Sequence, residues 1–226
     1  MKRAAVSGVA VRASLLVVAK APVPGAAKTR LTPPATPGQA AEIAAAALLD
    51  TLDAVLRTPG VRPVVALAGD LSAACRRAEL RAALRRCLVL PQRGADFAER
   101  LANAHADTAR RHGLPVLQIG MDTPQVTPEL LDSSVGALAE HDAVLGPAED
   151  GGWWALGLRD ATRARALRDV PMSRNDTGVR TASALRDKGI GMLPTLSDVD
   201  TIDDALAVAG NLPGTRFAEA VREAAR

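Results

Sequence analysis

The sequence predicts a single-domain α/β protein of three layers, in which helices cover both faces of a mostly parallel, mixed β-sheet. Short apolar runs alternate with longer segments rich in Ala and Leu, and this alternation is typical of such sheets. The length of 226 residues suits one large domain, and neither an internal repeat nor a break in composition divides the chain. We expect a tail over residues 1–13, the main domain over 14–212 and a C-terminal helix over 213–226.

The strands are predicted from short apolar runs, of which residues 14–19 form one that suits a strand buried on both faces. Thr127 and Pro128 are a cap and a first-turn residue that favour a helix start. Further strands are expected at 62–68, 87–90, 115–120, 142–146, 154–158 and 190–196. Apolar residues at helical spacing predict helices at 39–57, 71–86, 97–112, 176–188 and from Thr201.

The composition argues against several classes of protein. Aromatic residues make up 2% of the chain and there is no Tyr, so a nucleic-acid binder that stacks bases on aromatic rings is not expected. The net charge is only +3, and the Arg residues between 76 and 86 fit the solvated face of a helix. Cys75 and Cys87 lack metal-site spacing and are expected to be free thiols in a reducing compartment.

The chain start and its hydropathy predict a cytoplasmic protein that does not insert into membranes. Met1-Lys-Arg3 resembles the start of a signal peptide, but the apolar stretch behind it is short and is broken by polar residues. No apolar run approaches the roughly 18 residues that a membrane span needs. The oligomeric state stays open, with a homodimer as one option.

A basic loop follows the first predicted strand. Lys20, Lys28 and Arg30 can converge on phosphate oxygens, while Pro22 fixes the backbone and Gly25 lets it turn closely past a ligand. The loop is not a P-loop, because the residue before Lys28 is Ala. A solvated surface turn is the alternative, and the position after the first strand favours phosphate binding.

Acidic residues follow two other predicted strands. Asp122 comes after the strand at 115–120, and Asp198 and Asp200 come after the strand at 190–196, where alternation puts both on one face. Mg²⁺ takes one or two carboxylates together with substrate phosphates. The alternatives are an Asx-turn for Asp122 and a helix cap for Asp200.

A third loop, at residues 146–152, contains two consecutive Gly residues. Gly151 and Gly152 let the backbone approach a ligand, and Asp150 can contact a hydroxyl or an amine. Trp153 or Trp154 can stack on a sugar or a base. The alternative is a hairpin turn with one Trp in the core and one at the rim.

Nucleophilic catalysis is not expected. The chain has no G-x-S-x-G motif, and its three His residues are scattered outside these loops. Positioning, a metal ion and neutralisation of phosphate charge by Lys and Arg fit better. The carboxyl ends of parallel strands meet at one edge of a sheet, so the three loops are expected to form one site.

Six segments in order carry a resemblance to a known family: 19–25 (AKAPVPG), 28–31 (KTRL), Pro91-Gln92 with Glu99-Arg100, 120–124 (GMDTP), 146–152 (GPAEDGG) and 198–201 (DVDT). Over about residues 15–208 the chain resembles the bacterial domain-of-unknown-function family 2064. Members of that family are often labelled radical-SAM/selenodomain-associated glycosyltransferases. The family is similar to nucleotide-diphospho-sugar transferases of the GT-A fold and to 2-phospho-lactate guanylyltransferases.

The resemblance implies a GT-A fold and a set of site residues. The implied catalytic groups are Lys20, Lys28 and Arg30, which would hold nucleotide phosphates, and Asp122. Mg²⁺, or Mn²⁺ in its place, would be held by Asp122, Asp200 and Asp198. The nucleotide and substrate site would further include Ala19, Pro22, Gly25, Thr29, Gln92, Thr123, Pro147, Asp150, Gly151, Gly152 and Trp153. Arg174 and Trp153 depart from the family pattern on the acceptor side, so the acceptor is the least transferable inference.

Three functions stay open. The first is a Mg²⁺-dependent nucleotidyltransferase that binds an NTP through the basic loop and transfers a nucleotidyl group to an anionic small-molecule acceptor. The second is a glycosyltransferase that uses an NDP-sugar. The third is a nucleotide-binding module without turnover, which retention of Lys28, Arg30, Asp122 and Asp200 disfavours.

Overall fold

Seven strands form one mixed sheet in the computed structural model, which describes residues 10–185 and 189–226. The sheet order is β3-β2-β1-β4-β6-β5-β7, and only β6 runs antiparallel to its two neighbours. The strands are β1 (Ala13–Lys20), β2 (Val61–Ala68), β3 (Leu88–Pro91), β4 (Val116–Ile119), β5 (Ala143–Pro147), β6 (Trp153–Leu158) and β7 (Ile190–Met192).

The helices start at capping residues visible in the sequence. The hydroxyls of Thr36, Thr127 and Thr201 each accept a hydrogen bond from the backbone N–H three residues on, which satisfies a free donor of the first turn. The helices are α1 (Pro37–Arg57), α2 (Arg77–Leu84), α3 (Phe97–His112), α4 (Pro128–Ala137), α5 (Thr177–Ala184), α6 (Ile202–Gly210) and α7 (Arg216–Ala224). Short 3-10 helices occupy Thr29–Leu31, Leu71–Ala73 and Ala161–Asp169.

Apolar packing on both sheet faces accounts for the three layers. One face of the sheet packs against α1, α2 and α4, through side chains such as Leu48, Leu80 and Leu131. The other face packs against α3 and the 3-10 helix at Ala161–Asp169. A third cluster joins the outer side of α1 to α6 and α7 around Phe217. The expected single-domain α/β fold with a mostly parallel mixed sheet is confirmed.

The topology brings several loops to one edge of the sheet. Six strands are mutually parallel, so their carboxyl ends lie at the same edge. The antiparallel strand β6 begins at that edge, directly after the hairpin that follows β5. The loops after β1 and β4, the β5–β6 hairpin and the segment after β7 therefore meet there.

Three elements differ from the expectation. The helix expected at 71–86 is interrupted, because the N–H of Cys75 bonds to the carbonyl of Pro22 and Arg76 has φ 47°. Strand β7 ends at Met192, and Pro194 follows soon after. The 3-10 helix at Ala161–Asp169 was not expected at all.

Some expectations fall outside the described part of the chain. Residues 1–9, which include Met1-Lys-Arg3 and most of the expected tail, lie there, and so do residues 186–188 at the end of the expected helix at 176–188. In residues 10–185 and 189–226, no helix combines the length and the apolar character that crossing a membrane requires.

Candidate functional site

Two adjoining cavities lie at the edge where the strand ends meet. The smaller has a volume of about 260 Å³ and is formed mainly by the loop after β1. The larger, of about 660 Å³, extends over the ends of β2, β4 and β6 to α3 and the segment 172–175. The residues that line both cavities are Lys20, Arg30, Met121, Asp122 and Asp200. The expected meeting of the basic loop with the acidic turns is therefore found.

Lys28 lies at the centre of this junction. Its Nζ is 2.9 Å from Oδ1 of Asp122 and 3.5 Å from Oδ1 of Asp200, and it also donates to the carbonyl of Val199. The side chain is only 11% exposed. The backbone of Lys28 is left-handed, with φ 48° and ψ 44°, which costs a non-Gly residue about 1–3 kcal/mol. The strained backbone thus directs a largely shielded ammonium group at two carboxylates.

The contacts of Asp122 and Asp200 bear on the alternative roles that the sequence left open for them. The cap of α6 is Thr201, paired with Asp204, so the Asp200 carboxylate is not used as a cap. Oδ2 of Asp200 instead accepts from a terminal nitrogen of Arg30 at 2.9 Å. Asp122 pairs with Lys28, and its backbone carbonyl accepts from the N–H of Val199 at 3.1 Å. Both carboxylates thus contact cations of the basic loop.

Asp198 lies beside this pair and has unusual electrostatics. Its pKa is raised from 3.8 to about 7, mainly by burial and then by the negative charges of Asp122 and Asp150, whereas Lys28 lowers it. Val199 between Asp198 and Asp200 is buried, as the expected alternation requires. The excess of negative charge around Asp198 favours a cation.

The donor set fits a divalent metal ion that brings further ligands with it. Within residues 10–185 and 189–226, no group of three or more His, Cys, Asp or Glu side chains is arranged to hold a metal by itself. Asp122 and Asp200 already share one cation, the Lys28 ammonium group, and both keep about two fifths of their side-chain surface exposed. Two hard carboxylate ligands completed by phosphate oxygens and water are a usual arrangement for Mg²⁺.

Gln92 presents an acceptor to the larger cavity. Its Nε2 donates to the backbone carbonyls of Ala19 and Ala66, each at 2.9 Å, which ties together the ends of β1 and β2. Two carbonyl neighbours require a donor, so the orientation of the amide is fixed. Oε1 faces away from them and has no described partner, and Gln92 lines the larger cavity. This oxygen suits a ligand that carries an N–H or O–H donor.

The β5–β6 hairpin closes the other side of the larger cavity. Oδ1 of Asp150 accepts from the N–H of Gly152 at 2.7 Å. Gly151 has φ +86°, and a Cβ there would lie 1.9 Å from the carbonyl oxygen of Asn175, so the hairpin packs tightly against the segment before α5. Trp154 is buried, whereas Trp153 is half-buried and lines the cavity. The hairpin is thus both a structural turn and a cavity wall.

Most of the expected site residues line the two cavities. The residues on the cavity walls are Ala19, Lys20, Lys28, Thr29, Arg30, Gln92, Asp122, Thr123, Asp150, Gly152, Trp153, Asp198 and Asp200. Those that do not reach the walls are Pro22, Gly25, Pro147 and Gly151. They shape the backbone: the carbonyls of Pro22 and Pro147 accept from Cys75 and Leu196, and Gly25 turns with φ +74°. Their roles toward a ligand stay predictions.

The cavity walls include polar residues that the sequence reading did not select. Arg100, Gln118 and Asn175 line the larger cavity, together with Arg174, which had been noted only as a departure from the family. Gln118 carried a usable signal, since it is the one polar residue in the apolar strand β4. Arg100 belongs to one of the segments that carry the family resemblance, but no role followed from it, because an Arg near a helix start is ordinary.

A family profile matches the chain over residues 51–174, which is more than half of its length. The family is described as "Uncharacterized protein conserved in bacteria (DUF2064)". The chain belongs to this family. The resemblance read from the sequence is therefore confirmed. No curated protein sequence matches the DUF2064 chain.

Solved structures share the fold of this DUF2064 protein. A protein of Desulfovibrio desulfuricans G20, described as a nucleotide-diphospho-sugar transferase, is 24% identical with TM-score 0.83 over 94% of this chain and 95% of that chain. A cytidylyltransferase of Leptospira borgpetersenii is 12% identical with TM-score 0.57, over 94% and 93%. Rv0371c of Mycobacterium tuberculosis H37Rv, in complex with manganese, is 21% identical with TM-score 0.55, over 88% and 98%. These similarities establish the nucleotide-diphospho-sugar transferase fold.

Proposed function

We propose that this DUF2064 protein is a nucleotidyltransferase that depends on a divalent metal ion and uses an NTP and a small anionic acceptor. The observation that carries the proposal is the junction of Lys28 with Asp122 and Asp200, where the two cavities meet. At this junction Lys28 contacts two carboxylates that could hold a metal ion, and Lys20 and Arg30 line the same cavities. A cytidylyltransferase among the structures of the same fold supports the reaction class.

The cations have distinct parts in this proposal. Lys20 and Arg30 line both cavities, and Lys20 forms no ion pair with a described carboxylate, so its charge is available for phosphate. Arg30 is 70% exposed and can turn its remaining donors to a second phosphate oxygen while it keeps Asp200. Lys28 can exchange its contact with Asp122 for a phosphate oxygen once a metal ion neutralises that carboxylate.

Asp122 and Asp200 would hold the metal ion, with Asp198 as a third candidate. Mg²⁺ is the proposed ion, and the manganese complex of the structure with the same fold makes Mn²⁺ a candidate as well. When bound, the ion neutralises the charge that develops on the phosphates during transfer. Because the carboxylates that would hold the ion are already fixed in the fold, little reorganisation is needed at the moment of reaction.

The proposed transfer needs no nucleophile from the protein. An oxygen of the acceptor attacks the α-phosphorus of the NTP, a new P–O bond forms, and the bond to the leaving pyrophosphate breaks. Lys20, Lys28 and Arg30 hold the phosphates in line and stabilise the negative charge of the leaving group. The larger cavity provides room for the acceptor beside the hairpin of Asp150.

A glycosyltransferase that uses an NDP-sugar is the second candidate. It is favoured by Trp153, which is half-buried in the wall of the larger cavity and suits stacking on a sugar ring. The description of the Desulfovibrio structure as a nucleotide-diphospho-sugar transferase points the same way. The junction of Lys28 with two carboxylates serves either reaction, so product analysis must separate them.

The decisive experiment measures pyrophosphate release from the four NTPs with a panel of small anionic acceptors. Release that requires both Mg²⁺ and an acceptor supports nucleotidyl transfer. Hydrolysis or transfer of NDP-sugars without pyrophosphate release would refute it in favour of the second candidate. Nucleotide binding without either product would indicate a nucleotide-binding module without turnover.

Asp122→Asn tests the metal assignment. The variant should lose Mg²⁺-dependent nucleotide binding in titration calorimetry, because the amide removes one charge from the carboxylate pair. The matched control is Asp142→Asn. Asp142 lies at the amino end of β5, at the edge of the sheet opposite to the cavities, and it pairs there with Arg159. Equal Mg–nucleotide affinity in both variants would show that Asp122 is not a metal ligand.

A further inference from the structure

Gln118 on the floor of the larger cavity has an unsatisfied amide oxygen. It is only 1% exposed, its register neighbours in β1 and β6 are Leu16 and Leu156, and its Oε1 has no hydrogen-bond partner among the described residues. Burying an unpaired polar group costs about 1–3 kcal/mol, so an apolar residue would stabilise this position better. A polar side chain kept at such a place in a cavity wall indicates a ligand.

Arg100 lies on α3 at the rim of the same cavity. Its Nε is 3.3 Å from the carbonyl of Gly94, and it pairs with no described carboxylate. The two terminal nitrogens of the guanidinium group therefore keep their donors. A planar fork of free N–H groups matches the oxygens of a phosphate or carboxylate.

Arg174 lines the cavity from the loop before α5, and hydrogen bonds hold the backbone of this loop. The hydroxyl of Thr177 accepts from the N–H of Arg174 at 3.1 Å and donates to the carbonyl of Pro171 at 2.9 Å. Ser173 has φ 58°, a left-handed conformation that is uncommon for a residue with a side chain. Arg174 itself is 60% exposed and touches Asp176 only through Nε, at 3.5 Å. The loop thus fixes the backbone and leaves the guanidinium group free to bind.

The β5–β6 hairpin packs against the loop before α5, next to the proposed phosphate-transfer site. The N–H of Gly178 donates to the carbonyl of Gly151 at 2.8 Å, and a Cβ on Gly178 would lie 2.5 Å from the carbonyl of Gly152. Asp150 of the same hairpin and Asp122 line the same cavity as Arg174. Arg100 and Arg174 line only the larger cavity and Lys28 lines only the smaller, whereas Asp122 and Asp200 line both.

We propose that Arg100, Gln118 and Arg174 form the acceptor subsite, and that the acceptor is a small phosphate monoester. This inference rests on the proposed nucleotidyl transfer. Two guanidinium groups from different elements suit a dianionic phosphate, and the buried Oε1 of Gln118 would accept from a hydroxyl of the acceptor next to that phosphate. Met172 and Trp153 in the same wall provide an apolar side for the rest of the molecule.

The reaction that follows is balanced without further reagents. A phosphate oxygen of the monoester attacks the α-phosphorus of the NTP, and an NDP-linked product forms with a new P–O–P bridge. Pyrophosphate leaves with the electrons of the broken bond. No oxidant, reductant or protein nucleophile is needed.

The test compares acceptors that differ in one group. 3-Phosphoglycerate and glucose 1-phosphate carry a phosphate monoester, glycerate carries only a carboxylate, and glucose is neutral. We expect pyrophosphate release with the phosphate monoesters alone. Arg100→Gln and Arg174→Gln should raise the KM for the acceptor about tenfold to a hundredfold, since each loses a charge-assisted hydrogen bond, and should leave nucleotide affinity unchanged.

Gln118→Leu separates a ligand role from a structural one. Because the neighbours of Gln118 are apolar, the variant should unfold at the same or a higher temperature, and yet its acceptor KM should rise. Arg168→Gln is the control for the Arg variants, because Arg168 is exposed and binds Asn103 outside both cavities. Turnover with glycerate or glucose alone, or an unchanged KM in Arg174→Gln, would overturn the proposal.

A binding measurement keeps the inference testable if the protein turns over no NTP. Inorganic phosphate is titrated by calorimetry into the wild type, Arg174→Gln and Lys20→Gln. Loss of one phosphate site in Arg174→Gln and its retention in Lys20→Gln supports the subsite independently of the reaction. Full phosphate binding by Arg174→Gln would refute the subsite, whereas failure of all four NTPs to bind would refute only the proposed function.

Discussion

Replacing Lys28 by Met removes the largely shielded cation that Asp122 and Asp200 share. Breaking a buried ion pair costs about 3–5 kcal/mol, and an exposed one about 0–1 kcal/mol. Lys28 is 11% exposed, but its partners are 42% and 39% exposed, so water screens the carboxylates left behind. We therefore expect the variant to lose about 1–3 kcal/mol of unfolding free energy, which corresponds to a fall in Tm of roughly 2–12 °C for a protein of this size.

The assay is thermal unfolding in EDTA and again in excess Mg²⁺. In EDTA, Lys28→Met should be less stable than the wild type by the stated amount. Mg²⁺ should stabilise the variant more than the wild type, because the ion no longer competes with the ammonium group for Asp122 and Asp200. Lys20→Met is the matched control, since Lys20 is exposed and its loss should not alter stability. Equal stability in EDTA, or equal stabilisation by Mg²⁺, would refute this reasoning.

Three further predictions concern Gln92, the hairpin and pH. Gln92→Leu should weaken binding of every NTP about tenfold in calorimetry, because the cavity loses its fixed acceptor oxygen. Gly151→Ala should abolish acceptor turnover and lower Tm, because its Cβ would overlap the carbonyl of Asn175. The pKa of Asp198, raised to about 7, means that the native state holds a proton which the unfolded chain releases. Metal-free stability to urea should therefore fall as pH rises from about 4 to 7, and Asp198→Asn should flatten that slope.

Each of these has a contrasting outcome. Unchanged NTP affinity in Gln92→Leu would show that Gln92 does not contact the nucleotide. Gly210→Ala is the control for Gly151→Ala, since a Cβ there meets no atom within 4 Å; an equal effect of both would remove the special role of the hairpin. A pH slope that is the same in the wild type and Asp198→Asn would show that Asp198 titrates normally.

The elements whose patterns are local were predictable. The apolar run at β1 and the caps Thr127 and Thr201 lie where the sequence indicates, because each depends on residues only a few positions apart. The helix expected at 71–86 failed for the opposite reason. Its interruption comes from the hydrogen bond between Cys75 and Pro22, which joins segments about fifty residues apart and leaves no mark in the local pattern.

The site shows the same limit. Parallel strands bring their carboxyl ends to one edge, so the meeting of the three loops followed from the order of elements. That Lys28 lies between Asp122 and Asp200 did not, because a backbone with φ 48° at a Lys has no sequence signature. Arg100 and Arg174 line the same cavity only because of where α3 and the loop before α5 lie in the fold, and the local sequence does not show this.

The backbone of Val199 holds the acidic segment in place without using any carboxylate. Its N–H donates to the carbonyl of Asp122, its side chain is buried, and Thr201 caps the helix that follows. Substitution of Asp122 or Asp200 by Asn therefore leaves these anchors intact and changes mainly charge. For this reason a loss of metal or nucleotide binding in such variants reports on electrostatics, whereas the same loss in Gly151→Ala reports on geometry.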